Sequence, residues 1–475
     1  MAKILLGSIE PSFLGHPRFY LSPADQNFHA TIWGATGSGK SFLLLSLFLQ
    51  HFRAGNAVGL IDPHNDLSID VLSQLVASGA FKDQTTYRRL VYIDWGNRLV
   101  TPFNILSGAQ EQSSDPDLLQ FGASAAAAKV LDMAYRVWPE LRTGAPSFKQ
   151  HFASAIMILI ANGLPLGNLL KVLTDASFRD ACLKRVADLR IQTIWSTIAN
   201  LRSENDKEAL LGSSRRRADD LIADPITYYA FNHPDNVIKH REWMDNGTCF
   251  IHNLGKIPSR LTRQILGALL LVDIEQAAMS RVELTREQRP PLTLLVDEWA
   301  MFAAQEDTIS HILSETRKYG LRLYLAAQSL AQVGTNRLSG ALENCRLNIA
   351  MSLGHDSAKR QAEHIATIDP GAIKEEAPTD SAHNLFTSYF EQTQGWTDEL
   401  KGLPQRMAYA KLHHKPATLI KTPYVPVPNV DQADLDNVLL TYRGMYQQTV
   451  PEAVARISQV PQPETQPAYR RLFDK

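Results

Sequence analysis

Residues Gly34-Ala35-Thr36-Gly37-Ser38-Gly39-Lys40-Ser41 place a glycine, four residues and then Gly-Lys-Ser in a row. That spacing suits a phosphate anion. Glycines without Cβ atoms let successive backbone N–H groups close around phosphate oxygens. Lys40 reaches the β and γ phosphates, and the Ser41 hydroxyl is offered to Mg2+. With Phe42, which opens the following apolar run, these residues form the candidate nucleotide-binding set. A second set lies far along the chain. Leu292 to Val296 is an apolar run that ends in Asp297-Glu298. Asp297 suits a Mg2+ ligand acting through water, and Glu298 a general base for an attacking water. Leu321 to Ala327 then delivers Gln328, whose amide suits a sensor of the γ-phosphate. The chemistry these residues suggest is hydrolysis of ATP with Mg2+.

Such residues work only when a scaffold brings them together. Phe28 to Trp33 alternates like a strand, and Ser41 to Gln50 is an unbroken helix former. The glycine loop therefore joins a strand to a helix whose N-terminus faces the anion. Ala57-Val58-Gly59-Leu60-Ile61 followed by Asp62-Pro63-His64-Asn65-Asp66, and Leu90 to Ile93 followed by Asp94, read as buried parallel strands with polar loops at their carboxyl ends. Strands alternating with helices imply right-handed crossovers and a parallel sheet, with ligands at the carboxyl ends of the strands. Asp62, His64 and Asp94 then fall near the nucleotide edge, where turn formation and capping are the alternative roles.

From Gln110 to about Asn232 only helical patterns are evident, which predicts an all-helical insertion. Its run Arg215-Arg216-Arg217 fits either a phosphate-backbone contact or a solvated helix face balanced by Asp219 and Asp220. Strand patterns return at Gly247–His252. A helix is expected over Arg260–Arg281 and another over Thr308–Tyr319, stopping at Gly320. Arg317-Lys318 in its last turn complement the helix dipole. That end also points away from the chain's own nucleotide, so Arg317 could act on a neighbouring subunit's phosphate as an arginine finger. Asn344, before a strand at Leu347–Leu353, is a weaker candidate beside Gln328. A helix at Asp356–Ile365, a polar loop at Gly371–Leu385, a strand at Met407–Leu412 and a helix over Leu435–Arg456 broken at Val450-Pro451 follow. Phe386–Thr393 is ambiguous, and the Pro- and Gln-rich end is expected to fray. The expected division is a core of 1–108 and 236–430, an insertion of 109–235, and a C-terminal helix and tail of 431–475.

Composition narrows the class. The chain has 475 residues, 44% hydrophobic and 20% charged, with a net charge of −1. It is an ordinary globular composition, so DNA contact would have to come from local basic patches. Cys182, Cys249 and Cys345 lie far apart, which argues against a zinc site or disulfide framework and fits a reducing cytoplasm. No signal or transit peptide is visible. The most apolar long segment, Phe152 to Leu170, is interrupted by Ser154, Asn162, Pro165 and Asn168 and falls short of a membrane span.

With these residues in place, the chain resembles the FtsK/HerA superfamily of ring ATPases, and within it the type IV secretion coupling proteins of conjugation. The matching stretches are Gly34 to Ser41, Ile61 to Leu67, Tyr92-Ile93-Asp94 with Pro102-Phe103-Asn104, Leu295 to Glu298, Glu315 to Gly320 and Ala327 to Leu330. The resemblance covers about residues 28 to 415. It implies a RecA-like α/β core with a mostly parallel sheet, and the insertion sits where those proteins carry an all-α domain. It implies Lys40 and Ser41 on phosphate and Mg2+, Asp297 and Glu298 in hydrolysis, Gln328 as sensor and Arg317 as the finger in trans. It implies a hexamer with DNA in its channel, single- or double-stranded, and a relaxase, nuclease or secretion-channel partner. Two departures stand out. Coupling proteins carry N-terminal membrane helices, and this sequence has none, which implies a cytoplasmic protein recruited to the inner membrane by a partner, or one working in DNA processing or defence. Asn65 replaces the glycine of the usual Asp-Pro-His-Gly loop, a mild change because Asn also tolerates φ > 0. A secretion ATPase acting on protein subunits and a nucleotide-dependent scaffold are the competing readings.

Overall fold

The computed structural model describes residues 2–11, 17–108, 116–302, 313–329, 345–375, 385–413 and 415–463. Asn344, the start of the helix expected over Thr308–Tyr319, most of the Gly371–Leu385 loop and the end of the tail lie outside them. The chain divides into two compact units. One comprises Met1–Val91, Trp243–His252 and Ala278–Leu435, and the other Tyr92–Glu242, Asn253–Ala277 and Asp436–Lys475.

In the first unit the strands are β1 (Ile4–Ile9), β2 (Arg18–Leu21), β3 (His29–Trp33), β4 (Ala57–Asp62), β5 (Leu90–Asp94, crossing the boundary), β6 (Cys249–Asn253), β7 (Leu292–Val296), β8 (Leu321–Ala327), β9 (Cys345–Ala350), β10 (Ile373–Glu375), β11 (Leu385–Phe386), β12 (Met407–Leu412) and β13 (Thr418–Lys421). Among the described residues, eleven of them pair in one sheet, in the order β2-β1-β13-β12-β9-β3-β8-β7-β4-β6-β5. The pairs β9-β3, β3-β8, β8-β7 and β7-β4 are parallel. β3, β4, β7 and β8 are buried along their whole length, which is why β4 and β7 read as continuous apolar runs, and the alternation read in β3 does not mark an exposed face. Beyond β9 the sheet turns antiparallel through β12, β13, β1 and β2. This antiparallel wing extends the expected parallel core.

Helix α1 (Lys40–Arg53) follows β3 and buries Leu43, Leu44, Leu47 and Phe48. Each such side chain removed from water contributes roughly 1.5–3 kcal/mol. Helix α2 (Asp66–Ala77) follows β4. The ambiguous stretch after Phe386 forms a helix, Tyr389–Gly402, opened by a capping box of Ser388 and Glu391. Thr316–Tyr319, expected as the last turn of an α-helix, is a 3-10 turn that ends at Gly320 with φ 86°.

The second unit is built on helices, including Pro116–Val137, Phe148–Ala161, Leu189–Ala199, Glu204–Ile222 and Pro225–Asn232. Phe148 stacks on Phe152 at 4.6 Å between ring centroids in its core. Its buried charges are paired. Arg136 donates to Glu275 at 2.6 Å, and Asp273 accepts from Lys129 at 2.7 Å and contacts His240 Nδ1 at 2.6 Å. Burial pushes the Asp273 carboxyl up, but Lys129 and His240 outweigh it and hold Asp273 below the usual carboxylate range. Arg215 donates to Glu208 at 2.8 Å and Arg217 to Glu140 at 2.7 Å, while Arg216 stands 3.7 Å from Glu208. The basic run is therefore neutralised within its own unit, as a solvated helix face would be. The three cysteines are buried and free. Among the described residues no helix is long and apolar enough to cross a membrane.

Candidate nucleotide site

Strand register brings the distant motifs of the first unit together. Trp33 pairs with Ala327, Val296 with Leu325, and Ile61 with Val296. The residues that follow each strand therefore emerge at one edge of the sheet. Gly34 donates its N–H to the Ala327 carbonyl at 3.2 Å, and the Thr36 hydroxyl donates to the Gln328 side-chain oxygen at 3.2 Å. A cleft of about 190 Å³ opens there, lined by the glycine loop from Ala35 to Phe42 together with His64, Asp297, Glu298, Gln328 and Gln405. Ser38 is buried and is not part of that lining.

The loop's glycines are dictated by geometry. A Cβ on Gly34 would stand 2.4 Å from Ser38 Oγ and 3.0 Å from Met351 Cβ. Gly39 has φ 107°, and a Cβ there would meet Arg406 at 3.1 Å. Lys40 opens α1 and is buried, and its Nζ donates to the Gly34 carbonyl at 2.5 Å. Burial lowers its pKa, with Asp297 and Glu298 pulling the other way.

Asp297 and Glu298 are both 6% exposed. Burial first, and then the neighbouring Asp62 charge, push the Asp297 carboxyl up to about 6. Glu298 sits in the left-handed region with φ 46°. That conformation is uncommon for a residue with a Cβ and gathers at working sites. One carboxylate oxygen of Glu298, Oε1, is buried with no hydrogen-bond partner. Crowded acids and an orphaned carboxylate oxygen beside a phosphate loop form a donor set that a divalent cation and a water would satisfy. Among the described residues no cluster of His, Cys, Asp and Glu forms a dedicated metal cage. Mg2+ fits that arrangement, because it keeps several waters and binds through one or two protein groups plus substrate phosphates.

Of the other edge residues, Asp62 is a turn-former. Its carboxylate accepts the N–H groups of His64, Asn65 and Ser68 and the Ser68 hydroxyl, at 2.7–3.2 Å. Asn65 has φ 78°, the conformation a glycine would supply. Asp94 lies in the second unit, paired with Lys256 at 2.9 Å. Gln405 was not apparent from the sequence, since nothing in Pro404-Gln405-Arg406 marks a ligand site.

Arg317 does not join this cleft. It lies near the opposite ends of β3 and β8, roughly 20 Å away at strand rise. There a cavity of about 650 Å³ is lined by Arg286, Arg289, Arg317, Lys318, Arg322 and Arg346, with Phe28 and Glu287. The Arg346 and Arg317 guanidinium carbons stand 3.7 and 4.8 Å from the Phe28 ring centroid. Loss of water, and then the Arg346 and Arg286 charges, lower the Arg317 pKa.

The sheet and its loop define a RecA-like phosphate-loop core. Solved structures carry the comparison further. TrwBdeltaN70, a bacterial conjugative coupling protein in its unbound monoclinic form, matches with a TM-score of 0.57 at 16% identity over 87% of this chain and 88% of its own. TrwB in complex with ADP and Mg2+ matches with a TM-score of 0.58 at 15% identity over 91% and 97%. VirB4 of Thermoanaerobacter pseudethanolicus matches with a TM-score of 0.55 at 14% identity over 89% and 96%. No family model matches the chain, and no curated protein does. The resemblance to secretion-system coupling proteins expected from the motifs is thus met in the fold.

Proposed function

We propose that this chain is an ATP-hydrolysing motor subunit that works with Mg2+ and moves DNA through a ring of identical copies, six by the family pattern. The observation that carries the reading is the convergence of Lys40, Ser41, Asp297, Glu298 and Gln328 on one cleft at the carboxyl edge of the sheet. Gly34, Ala35, Thr36, Gly37, Ser38 and Gly39 supply the phosphate cradle, and Phe42 borders it. Lys40 exchanges the Gly34 carbonyl for phosphate oxygens. Ser41 and Asp297 would hold Mg2+, Asp297 through water, and the bound ion would offset charge on the phosphates. Glu298, with a free buried oxygen, accepts a proton from the attacking water. Gln328 holds Thr36 of the loop, so a change at the γ-phosphate is transmitted to the end of β8.

Arg317 serves a neighbouring copy's nucleotide, since its cluster lies at the far end of the strands from its own. The likeness to TrwB supports conjugation or mobile-element transfer as the setting, with a relaxase or nuclease as partner and the cytoplasmic face of the inner membrane as the place. The likeness to VirB4 supports a second reading, a secretion ATPase acting on protein subunits. ATPase rates with and without single- and double-stranded DNA, at two salt concentrations beside Lys40→Ala, decide between them. Strong, salt-sensitive stimulation supports the DNA motor. Unchanged turnover in an assembled ring opposes it.

A further inference from the structure

The nucleotide cleft is short. At about 190 Å³ it is smaller than pockets that enclose a whole drug-sized ligand, which span roughly 300–1,000 Å³. Its lining includes Phe42 and Gln405, and a nucleoside attached to phosphates held by the loop would continue over the surface beside them.

An aromatic residue stands at that position. The Tyr424 ring lies 6.0 Å from the Phe42 ring at an interplanar angle of 43°. Tyr424 is 61% exposed, so its ring is open to a ligand. The guanidinium carbon of Arg406 lies 5.1 Å from the Tyr424 ring centroid. Tyr424 is also tied in place from the phosphate loop outward. Arg406, at φ 69°, donates its N–H to the Ser38 carbonyl at 2.8 Å. Its carbonyl accepts the Thr422 N–H at 2.8 Å, and its guanidinium donates to the Thr422 carbonyl at 2.7 Å. Arg406 thus fastens the chain just before Tyr424 to the loop that cradles the phosphates.

We propose that Tyr424, flanked by Phe42 and held by Arg406, is the platform on which the base of the bound nucleotide stacks. The proposal rests on the phosphate-loop reading above. Every base has a π-face, so a platform of this kind is tolerant of base identity. Adenine and guanine nucleotides should therefore bind with similar affinity.

Calorimetric titration of the full chain with ADP, GDP and inorganic tripolyphosphate tests it. Tyr424→Ala should weaken ADP and GDP about 5- to 20-fold, within the range that stacking supplies. Tripolyphosphate affinity should change less than about twofold, and Tyr424→Trp should hold ADP near the wild-type value. An unchanged ADP affinity in Tyr424→Ala overturns the platform, as does an equal loss for ADP and tripolyphosphate, which would mark a structural role. A wild-type chain that binds none of the three overturns the phosphate-loop reading as well, so the two failures are distinct.

Discussion

The Lys40 ammonium donates to the carbonyl oxygen of Gly34, the first residue of its own loop, at 2.5 Å. The cation that should hold phosphate thus also reaches the backbone of its own loop. Binding replaces one charge-assisted hydrogen bond with several. Lys40→Ala removes them all, at about 1.5–3 kcal/mol for each lost bond to a charged group. ATP affinity should fall at least tenfold and hydrolysis should be abolished, read by titration and phosphate release. Retained turnover would remove Lys40 from the chemistry.

Asp297 carries a charge that its surroundings resist. Its carboxyl is raised to about 6 by burial and then by Asp62, against an ordinary value near 4. A folded chain at pH 7.5 therefore bears the cost of ionising it. Asp297→Asn should stabilise the nucleotide-free protein by about 2 kcal/mol in urea unfolding while hydrolysis is lost. A variant both inactive and less stable would mean that the carboxylate is structural.

The Arg317 cluster predicts complementation between copies. Arg317→Ala should lower turnover about 10³-fold, the low end for an arginine finger. Lys40→Ala should be inactive on its own. Mixed, the two variants should regain activity, because an intact Lys40 from one copy meets an intact Arg317 from the next. A mixture no more active than its parts would place Arg317 outside the neighbour's site.

Two buried histidines give the first unit a pH signature. Burial, and then Arg322, hold His51 at about 4, and burial, and then Arg317, hold His29 at about 3. Both stay neutral in the fold while the unfolded chain takes up protons below about 6.5. Their contribution is whole above that value and is lost as pH falls toward 4. Going from pH 7 to 5 should cost roughly 2 kcal/mol for each. His51→Leu should flatten the stability profile over this range by about one proton's worth, and an unaltered slope would contradict the neutral assignment.

The gathering of the candidate residues at one sheet edge was legible because each part is a short local string. Gly34 to Ser41, Asp297-Glu298 and Gln328 each follow an apolar strand, and the same run that marks the strand fixes where its end lies. The turn role of Asp62 was one of two open alternatives, and only the four hydrogen bonds to its carboxylate decided it. The antiparallel wing was not legible in full. β13 is four residues long, and its partners on β1 are about four hundred positions away, so no local pattern encodes the pairing. Arg406 and Tyr424 reach the loop by the same long return. The helix at Tyr389–Gly402 did carry a signal, the Ser388-x-x-Glu391 box, within a stretch otherwise without clear periodicity.

That long return sets an order of events during synthesis. β3 takes its two neighbours, β8 and β9, from about three hundred residues downstream, and β1 waits for β13. A ribosome adding about 5–20 residues per second needs roughly 15–60 s between β3 and β8. Throughout that interval the glycine loop exists without the walls that would shape it. The newborn protein acquires its grip on phosphate late, as a sign that translation has passed its final strands.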